Sequence, residues 1–288
     1  MFTHDMAEGV KARLLQPGER EAVLAYLARD ARANLVLLDL TERMGFPPSP
    51  GEMKTEIVAA WRGGEIVGVA GLRPSVVLDA RVGPEAVEAF LPYLSELGVG
   101  LVKSAVSAVD LLWAHLGRGR RWDVLIDRTE TAYAVRADQV RLRAPPVGET
   151  VRPAAEADFE PLVVAARESL REEQRPDPFA GDTHGFRRWV HGRVERARVV
   201  ETQGRIGFAA YADVRRPDGW LLQGVYTWPE LRRRGLATTG VSALCREAFA
   251  AGADHVQLAV VDGNLAGRRL YERMGFEPFA KLRTILFT

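Results

Sequence analysis

The sequence lacks features that several protein classes require. Cys245 is its one cysteine, so it can form neither an intramolecular disulfide nor a cysteine-based metal cluster, which fits a reducing compartment. No uninterrupted apolar stretch is long enough to span a bilayer, and the segment Met1–Val10 has no apolar core. We therefore expect a cytoplasmic protein that is neither secreted nor inserted in a membrane.

An excess of charge of one sign is also missing. The 39 lysines and arginines face 38 acidic residues, for a formal net charge of +1. Nucleic acids and anionic membrane surfaces normally require a strongly basic face, so we expect neither as a partner. The 5 histidines show no metal-ligand spacing, and neither a Gly-x-Ser-x-Gly elbow nor a P-loop occurs. We expect no metal cofactor.

A phosphate-binding pattern lies near the C-terminus. Trp220–Thr227 is predicted to be a strand, Pro229 closes it, and the basic segment Arg232–Thr238 opens a helix. The N–H groups of a first helical turn have no intrahelical acceptor, and Gly235 and Ala237 let a ligand approach the backbone. Three arginines add positive charge where the helix dipole is already positive. The pattern favours an anion site, although a solvated, charged helix start is the alternative.

Two motifs carry a family resemblance. The spacing Arg232-x-x-Gly235-x-Ala237 resembles the acyl-CoA pyrophosphate motif of the GNAT superfamily of N-acetyltransferases. Downstream, Asn264–Phe276 resembles that family's Asn-x-x-Ala-x-x-Leu-Tyr-x-x-x-Gly-Phe segment, with Gly267 in place of the usual alanine. The resemblance covers Trp220–Phe276, and it implies acetyl-CoA as the cosubstrate.

The resemblance also implies a set of cofactor contacts. Val225–Thr227 would pair its backbone with the pantetheine arm, unless it is an ordinary central strand that is hydrogen-bonded on both sides. Asn264 would contact the cofactor, although a helix N-cap alone would explain an asparagine there. The implied cofactor-binding residues are Val225, Tyr226, Thr227, Arg232, Arg233, Arg234, Gly235, Leu236, Ala237, Thr238, Asn264 and Arg269.

Tyr271 resembles the family's tyrosine that protonates the departing CoA thiolate. A thiol that titrates near pH ~8.5 is a better leaving group beside a proton donor, and a phenol with a pKa of ~10 is protonated at neutral pH. The alternative is a tyrosine whose ring packs in the core while its hydroxyl is solvated.

A general base is needed because an alkylammonium with a pKa of ~10 must lose a proton before it attacks. Glu172 and Glu173, which follow the first helix of the second half, are the candidates, and we take Glu173 as the catalytic one. The alternative is exposed acids or a helix-end salt bridge to Arg171 or Arg175. Gln223 lies on the strand where some relatives carry an acid, and it cannot serve as a base.

Pro145–Pro146 interrupts regular structure and divides the chain into predicted domains 1–143 and 150–288. We expect an α/β protein of two tandem GNAT-like domains, each a mixed, mostly antiparallel sheet flanked by helices. In the first half the corresponding turn is Asp79–Glu85, where Pro84 removes a donor and the acids would repel a phosphate. We therefore expect a degenerate first domain and one active site in the second.

Periodicity and turn residues predict the elements of the second half. The predicted helices are Leu162–Arg171, Thr183–Arg196, Gly235–Ala251 and Ala266–Met274, and the predicted strands after the second helix are Arg198–Glu201, Arg205–Val214, Trp220–Thr227, His255–Val261 and Leu282–Phe287. The implied activity is acetyl transfer from acetyl-CoA to a primary amine by direct attack in a ternary complex. The amine would be a small molecule or a peptide, and the protein a monomer or homodimer. A non-catalytic acyl-CoA sensor is the competing class.

Overall fold

The computed structural model describes residues 9–48, 53–73, 75–94, 100–117, 122–177, 179 and 181–288. The predicted amino-terminal segment Met1–Val10 therefore lies outside the described residues except for Gly9 and Val10. The expected mixed α/β class is confirmed, and the chain forms two compact units. Most residues up to Thr129, together with Lys281–Thr288, form the first unit, and Glu130–Ala280 form the bulk of the second.

The elements alternate between strands and helices along the chain. The strands are β1 Lys11–Leu14, β2 Glu56–Arg62, β3 Glu65–Arg73, β4 Val77–Leu78, β5 Gly100–Ala105, β6 Val124–Val135, β7 Glu149–Pro153, β8 Ala197–Thr202, β9 Arg205–Arg216, β10 Gly219–Thr227, β11 Val256–Val261 and β12 Glu277–Phe287. The helices are α1 Arg20–Leu27, α2 Leu35–Arg43, α3 Pro84–Leu94, α4 Val106–Leu116, α5 Phe159–Glu172, α6 Thr183–His191, α7 Leu236–Ala250 and α8 Leu265–Arg273.

In the second unit, β7, β8, β9 and β10 pair in antiparallel order. β11 then runs parallel to β10, as predicted for a strand–helix–strand unit, and residues 130–135 of β6 pair antiparallel with β11. The side-chain alternation of β9 separates two cores. Phe208 and Ala210 pack with α7, while Ala209 and Tyr211 pack with α5 and α6.

In the first unit, β1 to β4 form an antiparallel sheet, and β5 pairs with residues 282–287 of β12. The sequence pattern predicts no helix at α2, and it predicts a strand at Val99–Val102, of which Val99 lies outside the described residues. Helix α2 is short and buries Leu35, Leu37, Leu38 and Leu40, so its charged residues Asp39, Glu42 and Arg43 are confined to its second half and give only a weak periodic signal.

Two strands pair with different parts of the chain from those that the predicted domain boundary between residues 143 and 150 implies. The predicted boundaries, 1–143 and 150–288, place residues 131–135 in the first domain and the strand Leu282–Phe287 in the second. In the structure, residues 130–135 pair with β11 and residues 282–287 pair with β5. A strand joins the unit in which its hydrogen-bond ladder forms, and position along the chain does not determine that partner.

None of the helices in the described ranges is both long and apolar enough to cross a bilayer.

Candidate functional site

The turn that enters α7 is a short basic loop between two buried anchors. Leu231 and Leu236 are 0% and 2% exposed, so they fix both ends of the turn in the core. Between them, Arg232, Arg233 and Arg234 are exposed. Arg233 adopts a left-handed backbone with φ of 61°, and Gly235 is the N-cap of α7 with φ of 91°. The reversal brings the arginines to the helix N-terminus.

Gly235 is required there for two reasons. An L side chain rarely adopts its φ, and an added Cβ would lie 1.7 Å from Nη1 of Arg143. The first backbone bond into the helix runs from the N–H of Thr239 to the carbonyl of Gly235, at 3.0 Å. The N–H groups of Leu236, Ala237 and Thr238 precede that bond and have no acceptor within the helix. The turn therefore suits a phosphate in shape and in donors.

The arginines of the turn differ in their partners. Arg232 donates from Nε to the carbonyl of Thr227 at 2.9 Å, and its Nη2 lies 2.5 Å from Oε1 of Glu172. It therefore ties the end of β10 to the end of α5. Among the described residues, neither Arg233 nor Arg234 forms an ion pair. These two side chains are free to meet an anion.

Strand β10 separates from β11 partway along its length. The two strands pair only at Trp220–Val256 and Leu221–Gln257, and within the described residues β10 is then paired with β9 alone. Gln223 and Gly224 are exposed although they lie in the middle of an interior strand. The backbone of the second half of β10 thus offers its hydrogen-bonding groups to a ligand, and the alternative of a strand bonded on both sides does not hold here.

A β-bulge at Gly224 accompanies the separation. Gly224 has φ of 57°, and the register with β9 shifts between Gln223 and Tyr226. An added Cβ at Gly224 would lie 2.8 Å from Cδ2 of Tyr211, whose ring therefore packs against the bulge. The Tyr211 hydroxyl is buried and has no hydrogen-bond partner among the described residues, and burial raises its pKa to about 12. Sequence reasoning missed both residues, although a glycine inside a strand is a bulge signal.

Beyond the bulge, the strand turns Tyr226 toward helix α5. Burial raises the pKa of the Tyr226 hydroxyl, and the negative charge of Glu172 raises it further. Val225 packs against the α7 core instead. In the predicted cofactor strand Val225–Thr227, the side chains of Val225 and Tyr226 therefore lie on opposite faces, and the strand ends just before the basic turn.

Tyr271 lies on α8 and is 6% exposed. Its ring packs against Phe276 with the centroids 5.6 Å apart, inside the α7 core. Burial raises the pKa of its hydroxyl above the ordinary value, and Cys245 makes a smaller contribution in the same direction. The ring packing matches the structural alternative, while the raised pKa keeps the phenol protonated. Its catalytic role stays a prediction.

The start of α8 holds the other two predicted cofactor residues. Asn264 caps the helix, because its Oδ1 accepts a hydrogen bond from the N–H of Gly267 at 2.9 Å. An added Cβ at Gly267, where the family motif has alanine, would lie 3.0 Å from Nδ2 of Asn264. Arg269 is exposed on the same helix, and within the described chain it forms no ion pair. Asn264 also lines a shallow pocket with Asp262 and others.

Both candidate bases are ion-paired at the end of α5. Glu173 is the C-cap residue, and its Oε2 lies 3.8 Å from Nη1 of Arg175. Glu172 pairs with Arg232 as described. Helix α5 packs on β9 and β10, so both acids lie at the end of an element that borders the opened strand.

In the part of the chain that the structure describes, no group of three or more potential ligands could hold a metal ion.

Comparison with protein families gives a match within the second unit. Residues 159–276 match the family model described as Acetyltransferase (GNAT) family. This range contains the opened strand, the basic turn and Tyr271. The chain has no significant sequence match among curated proteins.

Solved structures share the fold of the whole chain. A Drosophila protein matches with a TM-score of 0.74 and 14% identity, covering 97% of this chain and 99% of its own. A GCN5-related N-acetyltransferase from Sphaerobacter thermophilus matches with a TM-score of 0.62 and 17% identity, covering 96% and 95%. A tandem GNAT protein from the clavulanic acid biosynthesis pathway matches with a TM-score of 0.56 and 14% identity, covering 96% and 98%. The expected tandem GNAT-like architecture is confirmed.

Proposed function

We propose that the protein transfers an acetyl group from acetyl-CoA to a primary amine by direct attack in a ternary complex, since residues 159–276 match the GNAT acetyltransferase family model. One observation carries the proposal. The opened half of β10 leads directly into the basic turn of α7, so a single strand presents free backbone groups and then a phosphate-binding helix start.

The cofactor-binding assignment follows that path. The N–H groups of residues 236–238 and the side chains of Arg233 and Arg234 would hold the diphosphate. The backbone of Val225–Thr227 would pair with the pantetheine arm. Asn264 and Arg269 would contact the cofactor from α8, and Arg232 would contribute charge near the turn while it braces Glu172.

The chemistry forms a nitrogen–carbon bond and breaks the carbon–sulfur bond of the thioester that acetyl-CoA supplies. Tyr271 would give its phenolic proton to the departing sulfur, and its raised pKa means that this proton is present at neutral pH. Glu173 would accept the proton that the ammonium loses before attack, and the second proton, which the nitrogen loses as the amide forms, would restore the Tyr271 phenol. Holding the amine beside the thioester supplies the remainder of the rate enhancement.

The test is amine-dependent release of free CoA thiol over a panel of small amines and peptide N-termini. We expect saturable release with at least one amine, and none from a Gly235→Glu variant, whose side chain blocks the turn. Saturable acetyl-CoA binding without amine-dependent thiol release would contradict catalysis. It would support a non-catalytic acyl-CoA sensor, which Gln223 and the ion-paired state of both acids favour.

The proposed base has a separate test. Glu173→Gln should lower kcat/KM at neutral pH by roughly 10²-fold, because the amine arrives as its ammonium form. The loss should shrink as the pH approaches the pKa of the amine. Glu172→Gln is the matched variant, since it removes the neighbouring carboxylate. A uniform loss at every pH would exclude Glu173 as the proton acceptor.

A further inference from the structure

The geometry points to Arg143 as a further ligand of the acetyl-CoA diphosphate, supplied by the segment that precedes the family domain. This inference rests on the proposed function. Arg143 lies outside the range 159–276 that the family model matches and outside both motifs. The sequence pattern gives no signal for a role of Arg143, because the segment around Pro145–Pro146 predicts only a connector.

The side chain of Arg143 lies over the glycine that begins α7. Its Nη1 is 1.7 Å and its Cζ is 2.7 Å from the position that a Cβ of Gly235 would occupy. The guanidinium is therefore in van der Waals contact with the left-handed residue at the helix N-terminus. An anion bound by the N–H groups of residues 236–238 would lie beside this guanidinium.

The backbone N–H and the backbone carbonyl of Arg143 both form hydrogen bonds with side chains of α7. Its N–H donates to Oγ of Ser242 at 2.9 Å, and Ser242 is fully buried. Its carbonyl accepts from Nη1 of Arg246 at 3.1 Å. The preceding chain is held as well, since the N–H of Arg141 donates to the carbonyl of Met274 at 2.9 Å. The guanidinium is thus presented by an anchored segment, which lowers the entropy cost of binding.

The charge on Arg143 has no ionic partner among the residues that the structure describes. Within the described ranges it forms no ion pair, and the nearby carboxylate of Glu149 accepts from Oγ1 of Thr239 at 2.9 Å instead. Arg143, Arg233 and Arg234 therefore place three unpaired cations at one helix N-terminus, where the dipole makes positive charge unfavourable. A diphosphate would relieve this repulsion, and a guanidinium can bind two phosphate oxygens at once.

The experiment is calorimetric titration of CoA into the intact chain and its variants. We expect Arg143→Gln to weaken binding roughly 10-fold, the lower range for a charge-assisted hydrogen bond that is partly exposed. Arg143→Lys should retain part of the affinity, since it keeps the charge and loses the planar fork. The matched control is Arg141→Gln, which removes the same charge from the same segment and should bind like the wild type.

Three further readouts distinguish direct contact with the diphosphate from general effects on charge or stability. The affinity of Arg143→Gln should depend less steeply on salt than that of the wild type, because one charge contact is gone. 3′-Dephospho-CoA should show the same fold-loss as CoA, since both carry the diphosphate. Thermal unfolding of Arg143→Gln without ligand should not occur at a lower temperature than that of the wild type, because the Arg143 side chain forms no ion pair within the described residues and its removal lessens the repulsion at the helix start.

Several results would overturn the inference. Wild-type affinity in Arg143→Gln would do so, and so would an equal loss in Arg141→Gln, which would indicate only long-range charge. A fold-loss that disappears with 3′-dephospho-CoA would assign Arg143 to the 3′-phosphate instead. If the wild type itself shows no CoA binding, the proposed function fails first, and that outcome is distinct from the other three.

Discussion

Replacing Gly235 by alanine tests the helix start directly, and the same helix provides its control. Gly235 at the N-terminus of α7 has φ of 91°, and Gly252 just after its C-terminus has φ of 83°. An added Cβ at Gly252 meets nothing within 4 Å, whereas at Gly235 it lies 1.7 Å from Arg143. The two substitutions therefore impose similar backbone strain and differ in what the new methyl group contacts.

The expected effects on stability are similar. A left-handed backbone costs an L residue about 1–2 kcal/mol, so each variant should lose about that much free energy of unfolding. This corresponds to a drop of about 2–8 °C in Tm for a protein of this size. At Gly235 the methyl group also displaces the Arg143 guanidinium. That displacement costs folding little, because the end of a long side chain can move, but it should weaken CoA binding roughly 10-fold or more.

Thermal unfolding without ligand and calorimetric titration of CoA measure the two effects separately. We expect both variants to melt earlier and only Gly235→Ala to lose affinity. The reasoning is refuted if Gly235→Ala binds CoA as tightly as the wild type. An equal loss of affinity in Gly252→Ala would refute it too, since strain at the far end of α7 would then explain the result.

Two other predictions concern Tyr271 and Asp158. Tyr271→Phe should lower kcat more than it changes the Kd for acetyl-CoA, and equal losses of kcat and affinity would argue against an acid role. Because burial raises the pKa of the phenol, deprotonation of Tyr271 should cause no loss of wild-type turnover up to at least pH ~10. Asp158 has a lowered pKa, chiefly because Arg152 donates to its carboxylate at 2.6 and 2.9 Å, so Asp158→Asn should cost about 1–3 kcal/mol of unfolding free energy at neutral pH. Because the pKa of Asp158 is lower in the folded state than the value of ~3.9 in the unfolded chain, its stabilising effect is complete above that pH and is lost as the pH falls further. The difference in unfolding free energy between wild type and variant should therefore shrink below pH ~4, and a constant difference in urea unfolding from pH 7 to 3 would contradict this.

The sequence predicted elements well wherever a local residue determines the backbone. Helix α7 was placed within one residue at each end, because Gly235 and Gly252 both adopt the left-handed conformation that ends regular structure. The hairpin between β8 and β9 was found for the same reason, since Gln203 and Gly204 have positive φ. Local rules therefore sufficed for the basic turn and its strand.

What the sequence could not predict depends on contacts between distant residues. The pairing of β6 and β12 is set by hydrogen-bond ladders such as Val102–Ile285, which no local pattern encodes. The place of Arg143 depends on Ser242 and Arg246 of α7, about a hundred positions along the chain, with a separation of 99 for the first. The glycine at position 224 is a local signal for the bulge, but the separation of β10 from β11 depends on where the pairing between those two strands ends.

A crystal structure with acetyl-CoA bound tests the central claim most directly. We predict diphosphate oxygens within hydrogen-bond distance of the backbone N–H groups of residues 236–238, with the thioester beside the opened half of β10. A diphosphate bound away from the start of α7, or a thioester remote from Gln223 and Gly224, would contradict the account.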